Sequence, residues 1–160
     1  MVEVELIEAD VDREAGVPRM VLREIGGDHR LLSIFIGGVE MHAIQLAIEG
    51  HEPPRPMTHD LFRDVLDVLG AVLERVVVTD LQDNTFFAEL HVTAAGQSQR
   101  VSARPSDAVA LAVRAGCRIF VEESVLDEAA TLPPEAMADE MVEQFKEFIE
   151  HVNPDDFGSS

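Results

Sequence analysis

Tryptophan and tyrosine are absent from this chain of 160 residues, and lysine and cysteine each occur once, as Lys146 and Cys117. Each shortage removes a class of explanation. A single cysteine can form neither an internal disulfide nor a zinc cluster of thiolates. Lying between Gly116 and the apolar stretch Ile119 to Val121, Cys117 reads as a small buried hydrophobe; a reactive thiol needs an electropositive, partly exposed setting. Long apolar runs are missing too, since none approaches the roughly 20 residues that cross a bilayer. The amino terminus, Met1-Val2-Glu3-Val4-Glu5, lacks the basic-then-apolar layout of a secretory leader. The chain is expected to stay in the reducing cytoplasm, with no membrane contact.

Positive charge is the next scarcity. The net charge is −19, and its distribution says more than its size. Residues 1–15 hold six acids and one arginine, and residues 122–160 hold twelve acids and one lysine. Between them, residues 16–121 hold thirteen acids and ten arginines. The middle is nearly balanced, and all its cations are arginine. A polyanion would be repelled by the two ends yet could meet an arginine-bearing surface in the centre, so any nucleic-acid affinity should be weak and nonspecific.

With 46% hydrophobic and 27% charged residues, the composition is that of a folded domain, and its length suits a single one. The hydrophobic spacing predicts α+β architecture. Alternation at Val2, Val4 and Leu6, then apolar runs at Met20 to Leu22 and Leu31 to Ile36, read as strands separated by turns at Asp10 to Gly16 and Gly26-Gly27-Asp28. Helical spacing of Met41, Ile44, Ala47 and Ile48 starts from Glu40 and stops at Gly50. Three prolines in His51 to Met57 make a stiff connection. Thr58 then caps a helix with the apolar stripe Leu61, Val65, Leu66 and Leu69. Strands at Arg75 to Thr79, Thr85 to Val92 and Arg100 to Ala103 precede a helix capped by Ser106 and closed by Gly116, and Arg118 to Val121 is a seventh strand.

The expectation is a mixed sheet of six or seven strands covered by helices, in a domain spanning 1–132. An amphipathic acidic helix over 133–152, with Met137, Met141, Phe145, Phe148 and Val152 on one face, should pack on that domain or on a partner. Residues 153–160 should fray. A constant offset of 67 aligns Ile36 with Ala103, Glu40 with Asp107, Ala43 with Ala110 and Ile44 with Leu111. It suggests duplication of a three-strand-plus-helix unit.

Three helix starts carry polar groups that could do chemistry: Gly37-Gly38-Val39-Glu40, Arg55-Pro56-Met57-Thr58-His59-Asp60-Leu61, and Ala103-Arg104-Pro105-Ser106-Asp107-Ala108. Taken singly, Glu40, Asp60 and Asp107 are explained by the helix dipole, which favours acids in a first turn. The middle segment is harder to dismiss, because it unites a titratable base, a carboxylate and a phosphate-binding cation. No nucleotide-binding glycine loop, zinc cysteine cluster or Ser-His-Asp signature accompanies them.

These segments, with Ile36, Ala43-Ile44, Ala110-Leu111-Ala112 and the stretch Leu81-Gln82-Asp83-Asn84-Thr85-Phe86-Phe87-Ala88, resemble the bifunctional nuclease domain family. The similarity runs from about Leu6 to about Leu126. It implies an α+β fold with a mixed sheet, self-association, and nuclease activity toward DNA and RNA.

Combining that implication with the chemistry of the residues gives two readings. In the first, Glu40, Asp60 and Asp107 hold Mg²⁺ or Mn²⁺, His59 and Asp60 join Asp107 in catalysis, and Arg55 and Arg104 bind phosphate. At least three of Glu40, His59, Asp60, Arg104 and Asp107 should then line one pocket. In the second, the same residues are caps and ion pairs of a noncatalytic scaffold or regulatory module. Either form is expected to be a homodimer.

Overall fold

The computed structural model describes residues 1–134 and Met141; the expected helix over 133–152 and the end at 153–160 lie almost wholly outside the described residues. The element order is β1 (Val2–Val11), β2 (Pro18–Glu24), β3 (Leu31–Phe35), α1 (Gly38–Ile48), α2 (Thr58–Val68), β4 (Val72–Gln82), β5 (Thr85–Ala94), β6 (Gln97–Ala103), α3 (Pro105–Ala115), β7 (Arg118–Val121) and α4 (Glu123–Ala129). The α+β class and the seven-stranded mixed sheet are as the sequence predicts.

The strand order is β3-β2-β1-β7-β4-β5-β6. Short turns make β1 to β3 one antiparallel meander and β4 to β6 another. The short strand β7 joins them, antiparallel to β1 and parallel to β4. Both meanders therefore step outward from the centre, each followed by a helix. That is the arrangement a duplicated unit would adopt, without itself demonstrating a duplication.

One face of the sheet is covered by α1 and α3, which also pack on each other. Seven of the eleven residues of α3 are buried, among them Ala108 to Ala112 in an unbroken run. Small alanines let this helix lie close to the sheet while Val109 and Leu111 fill the gaps, and burying each such branched side chain is worth about 1.5–3 kcal/mol. Beneath it, Val76 and Val78 face the same core. Val77 alternates to the opposite face and is buried as well, beside Phe120 in the adjoining β7. The guanidinium of Arg118 lies 5.4 Å from the Phe120 ring centre.

Three local expectations need correction. The residues preceding α2 and α3 are Met57 and Arg104, both extended, so Thr58 and Ser106 lie inside the first turns and do not cap them. Leu61, Val65 and Leu69 are exposed rather than core-facing, and of the predicted α2 stripe Leu66 is the member packed on the core. Finally, α4 is additional to the expected elements: its Val125 and Leu126 are buried in the core.

Candidate functional site

Extended residues at the helix starts fix the site. Gly37, Met57 and Arg104 each accept the first backbone hydrogen bond of their helix, from Met41, Leu61 and Ala108. Glu40, Asp60 and Asp107 consequently occupy the same third position of α1, α2 and α3. Here the helix dipole and free N–H groups favour a carboxylate. Only Asp60 is seen closing its own helix start, since its Oδ2 accepts from the Met57 N–H at 3.0 Å.

The other two acids turn toward each other through Arg104. Its Nη1 donates to Glu40 Oε1 at 2.9 Å, and its Nε and Nη2 form a fork on Asp107 at 2.7 and 3.0 Å. His59 reaches over from α2, placing Nε2 3.0 Å from Asp107 Oδ1. Gly37 makes room for this, because a Cβ there would overlap Glu40 Oε2. Four of the residues singled out in the sequence, Glu40, His59, Arg104 and Asp107, thus form one connected set from three helices.

Asp107 sits below the usual carboxylate range: burial pushes it upward, but the hydrogen bonds and charges of Arg104 and His59 outweigh that. An ionised carboxylate only accepts, so the shared proton resides on His59 Nε2. In the neutral ring the other nitrogen, Nδ1, then carries the free lone pair. The arrangement is a base oriented by a carboxylate, next to a cation that can bind phosphate.

Asp60 is not part of this set. Its Oδ1 accepts from Arg114 Nε at 2.6 Å, and Arg114 also donates to the Ala110 and Ala43 carbonyls at 2.9 Å each. Burial raises the Asp60 pKa, while the Arg114 hydrogen bond, the Met57 N–H and the charges of Arg114 and Arg63 bring it down overall. The sequence offered no hint that Arg114, in the last turn of α3, would claim this carboxylate. Arg55 is exposed and joins none of the ion pairs among the described residues.

Glu40, Asp60 and Asp107 do not converge as a metal shell. Among the described residues, no three His, Cys, Asp or Glu side chains are grouped to hold an ion. Arg104 occupies oxygens of Glu40 and Asp107 that Mg²⁺ or Mn²⁺ would need, and Asp60 is spoken for by Arg114. As the side chains stand, the donor set does not fit a divalent ion.

Arg104 also borders a cleft of about 380 Å³, where Phe35, Gly37, Asn84, Phe86 and Ser106 meet it. Asp60 and Arg114 border a separate cleft of about 440 Å³. The expected common pocket is therefore replaced by an ion network beside one cleft, with Asp60 on another.

The family model of the bifunctional nuclease domain matches residues 20–133, which include every segment of this site. The chain belongs to that family. An uncharacterized protein found in two strains of Mycobacterium tuberculosis is 46% identical over 165 residues, covering 98% of this chain and 98% of that protein. Bifunctional nuclease 2 of Oryza sativa subsp. japonica is 28% identical over 134 residues, covering 81% of this chain and 41% of the plant protein. Bifunctional nuclease 2 of Arabidopsis thaliana is 30% identical over 106 residues, covering 64% and 32%. Family membership supports nuclease chemistry at the level of the family. Among the described residues, no helix is long and apolar enough to cross a membrane.

Proposed function

We propose that this protein hydrolyses phosphodiester bonds in nucleic acid, with His59 and Asp107 as the proton-transferring pair and Arg104 as the phosphate-binding cation. The observation that carries the reading is the 3.0 Å contact of His59 Nε2 with an Asp107 carboxylate already forked to Arg104. Asp107 would hold the imidazole so that Nδ1 accepts a proton from the attacking water. The water oxygen bonds to phosphorus, the P–O bond to the departing nucleotide breaks, and that oxygen leaves with a proton from solvent. Arg104 would offset charge building on the phosphate oxygens.

Dependence on Mg²⁺ or Mn²⁺ belongs to this proposal only if Arg104 withdraws from Glu40 and Asp107, and no step is assigned to an ion here. Self-association as a homodimer is also proposed. It is supported by the apolar side of α2, where Leu61, Val65, Val68 and Leu69 are exposed at 56%, 47%, 86% and 72%. Light scattering of wild type beside Val65→Glu tests that point; a wild-type monomer at high concentration rejects it.

A second reading has its own support. Glu40, Arg104, Asp107 and His59 satisfy one another and tie α1, α2 and α3 together, as a noncatalytic scaffold would require. Highly purified protein incubated with labelled single-stranded RNA and DNA, with Mn²⁺ or with chelator, separates the two. Cleavage lost in Asp107→Asn supports the nuclease. Absence of cleavage under every condition supports the scaffold.

A further inference from the structure

The cleft beside Arg104 is built from three segments that are far apart in sequence. The end of β3 and the residues after it contribute Phe35 and Gly37, the β4–β5 turn and the start of β5 contribute Asn84 and Phe86, and the start of α3 contributes Arg104 and Ser106. β3 and β5 stand near opposite ends of the sheet order, so the sheet curls enough to bring its two meanders to one opening.

The lining is unusual for this chain in two ways. Phe35 is 58% exposed in a protein with only eight aromatic residues. Ser106 is 94% buried, given its exposure of 6%, yet it borders the cleft. A flat apolar ring, a hydroxyl held in a wall, an amide at Asn84 and a guanidinium offer stacking and polar contacts to one ligand. The volume of about 380 Å³ is near the small end of the ligand-pocket range, about 300–1,000 Å³.

We infer that this cleft holds one unpaired nucleotide of a single-stranded nucleic acid, its base against Phe35 and Phe86 and its phosphate toward Arg104 and Ser106. The inference rests on the phosphodiesterase reading and extends it to a substrate class. A base must leave its partner to enter such a space, which selects single strands over duplexes. Charge cannot supply the affinity, because Arg104 is offset by Glu40 and Asp107 and the chain carries −19. Stacking on the rings must contribute most of it, and salt should matter little.

The test is fluorescence anisotropy of a labelled oligodeoxythymidylate in chelator, using wild type, Phe35→Ala, Ser106→Ala and, as control, Phe62→Ala. Phe62 is 45% exposed on α2 and does not border the cleft. Phe35→Ala should weaken binding about tenfold, Ser106→Ala should weaken it less, and Phe62→Ala should bind as wild type. The slope of log affinity against log salt should be about −0.7, corresponding to one phosphate on a single strand. Equal effects of Phe35→Ala and Phe62→Ala, equal competition by duplex, or no single-strand binding would overturn the inference. Binding without cleavage in the separate hydrolysis assay would sink the nuclease reading alone. Cleavage unaffected by Phe35→Ala would remove this cleft and leave the nuclease standing.

Discussion

Arg114→Ala should be among the most damaging single substitutions outside the apolar core. The Arg114 side chain is 6% exposed and Asp60 16% exposed, and their 2.6 Å contact joins α3 to the start of α2. The same guanidinium bonds to a carbonyl of α3 and to Ala43 in α1, so one residue sets the mutual position of three helices. Truncation leaves Asp60 largely buried with one backbone N–H as partner. Breaking a buried pair costs about 3–5 kcal/mol. Because Asp60 keeps that N–H and some access to water, about 3 kcal/mol is expected, or a fall in Tm of about 6–12 °C for a chain of this size. Urea unfolding of Arg114→Ala, Asp60→Asn and the double variant measures it. The coupling energy should be about 1.5 kcal/mol or more. A loss below about 1 kcal/mol in Arg114→Ala, or coupling near zero, would refute the clamp.

Gly37→Ala should displace Glu40, since the new Cβ would overlap Oε2. The backbone at Gly37 is ordinary, with φ −73°, so the expected damage is to the Glu40–Arg104 pair and to activity, with a Tm change of a few degrees at most; a crystal structure of the variant with that pair intact would contradict this. Asp60 and Asp107 both have folded pKa values below the ordinary carboxylate value. Their stabilisation is thus complete above the unfolded value, about 3.9, and is lost as pH falls through the folded values below it. The stability gap between wild type and Asp60→Asn should hold from neutral pH to about 5 and close at lower pH; a gap that widens on acidification would reverse the assignment.

The sheet was legible because alternation survives where one face is buried, as at Val4 and Leu6 of β1, and unbroken apolar runs mark strands buried on both faces, as at Met20 to Leu22 of β2. Helix starts were harder: Ser106 and Thr58 look like caps, but Pro105 fixes a first-turn backbone that moves the cap to Arg104. The α2 stripe was legible as apolar, but amphipathic spacing does not say what covers it, and Leu61, Val65 and Leu69 are exposed. In the site, equivalent positions of Glu40 and Asp107 were visible in the offset of 67. Their bridging by Arg104, and the loss of Asp60 to Arg114, depend on long side chains crossing between helices, which no local pattern encodes. Phe35 and Phe86 escaped notice for a different reason: in sequence they are ordinary strand residues, and only the curled sheet brings them together.

The most direct test of the central claim compares cleavage by wild type, His59→Ala, Asp107→Asn and the double variant, with Tm measured alongside. A proton-transferring pair acts as a unit, so each single change should lower kcat by about a hundredfold or more, and the double change should lower it no further. Independent losses that multiply in the double variant, or single variants as active as wild type, would contradict the account.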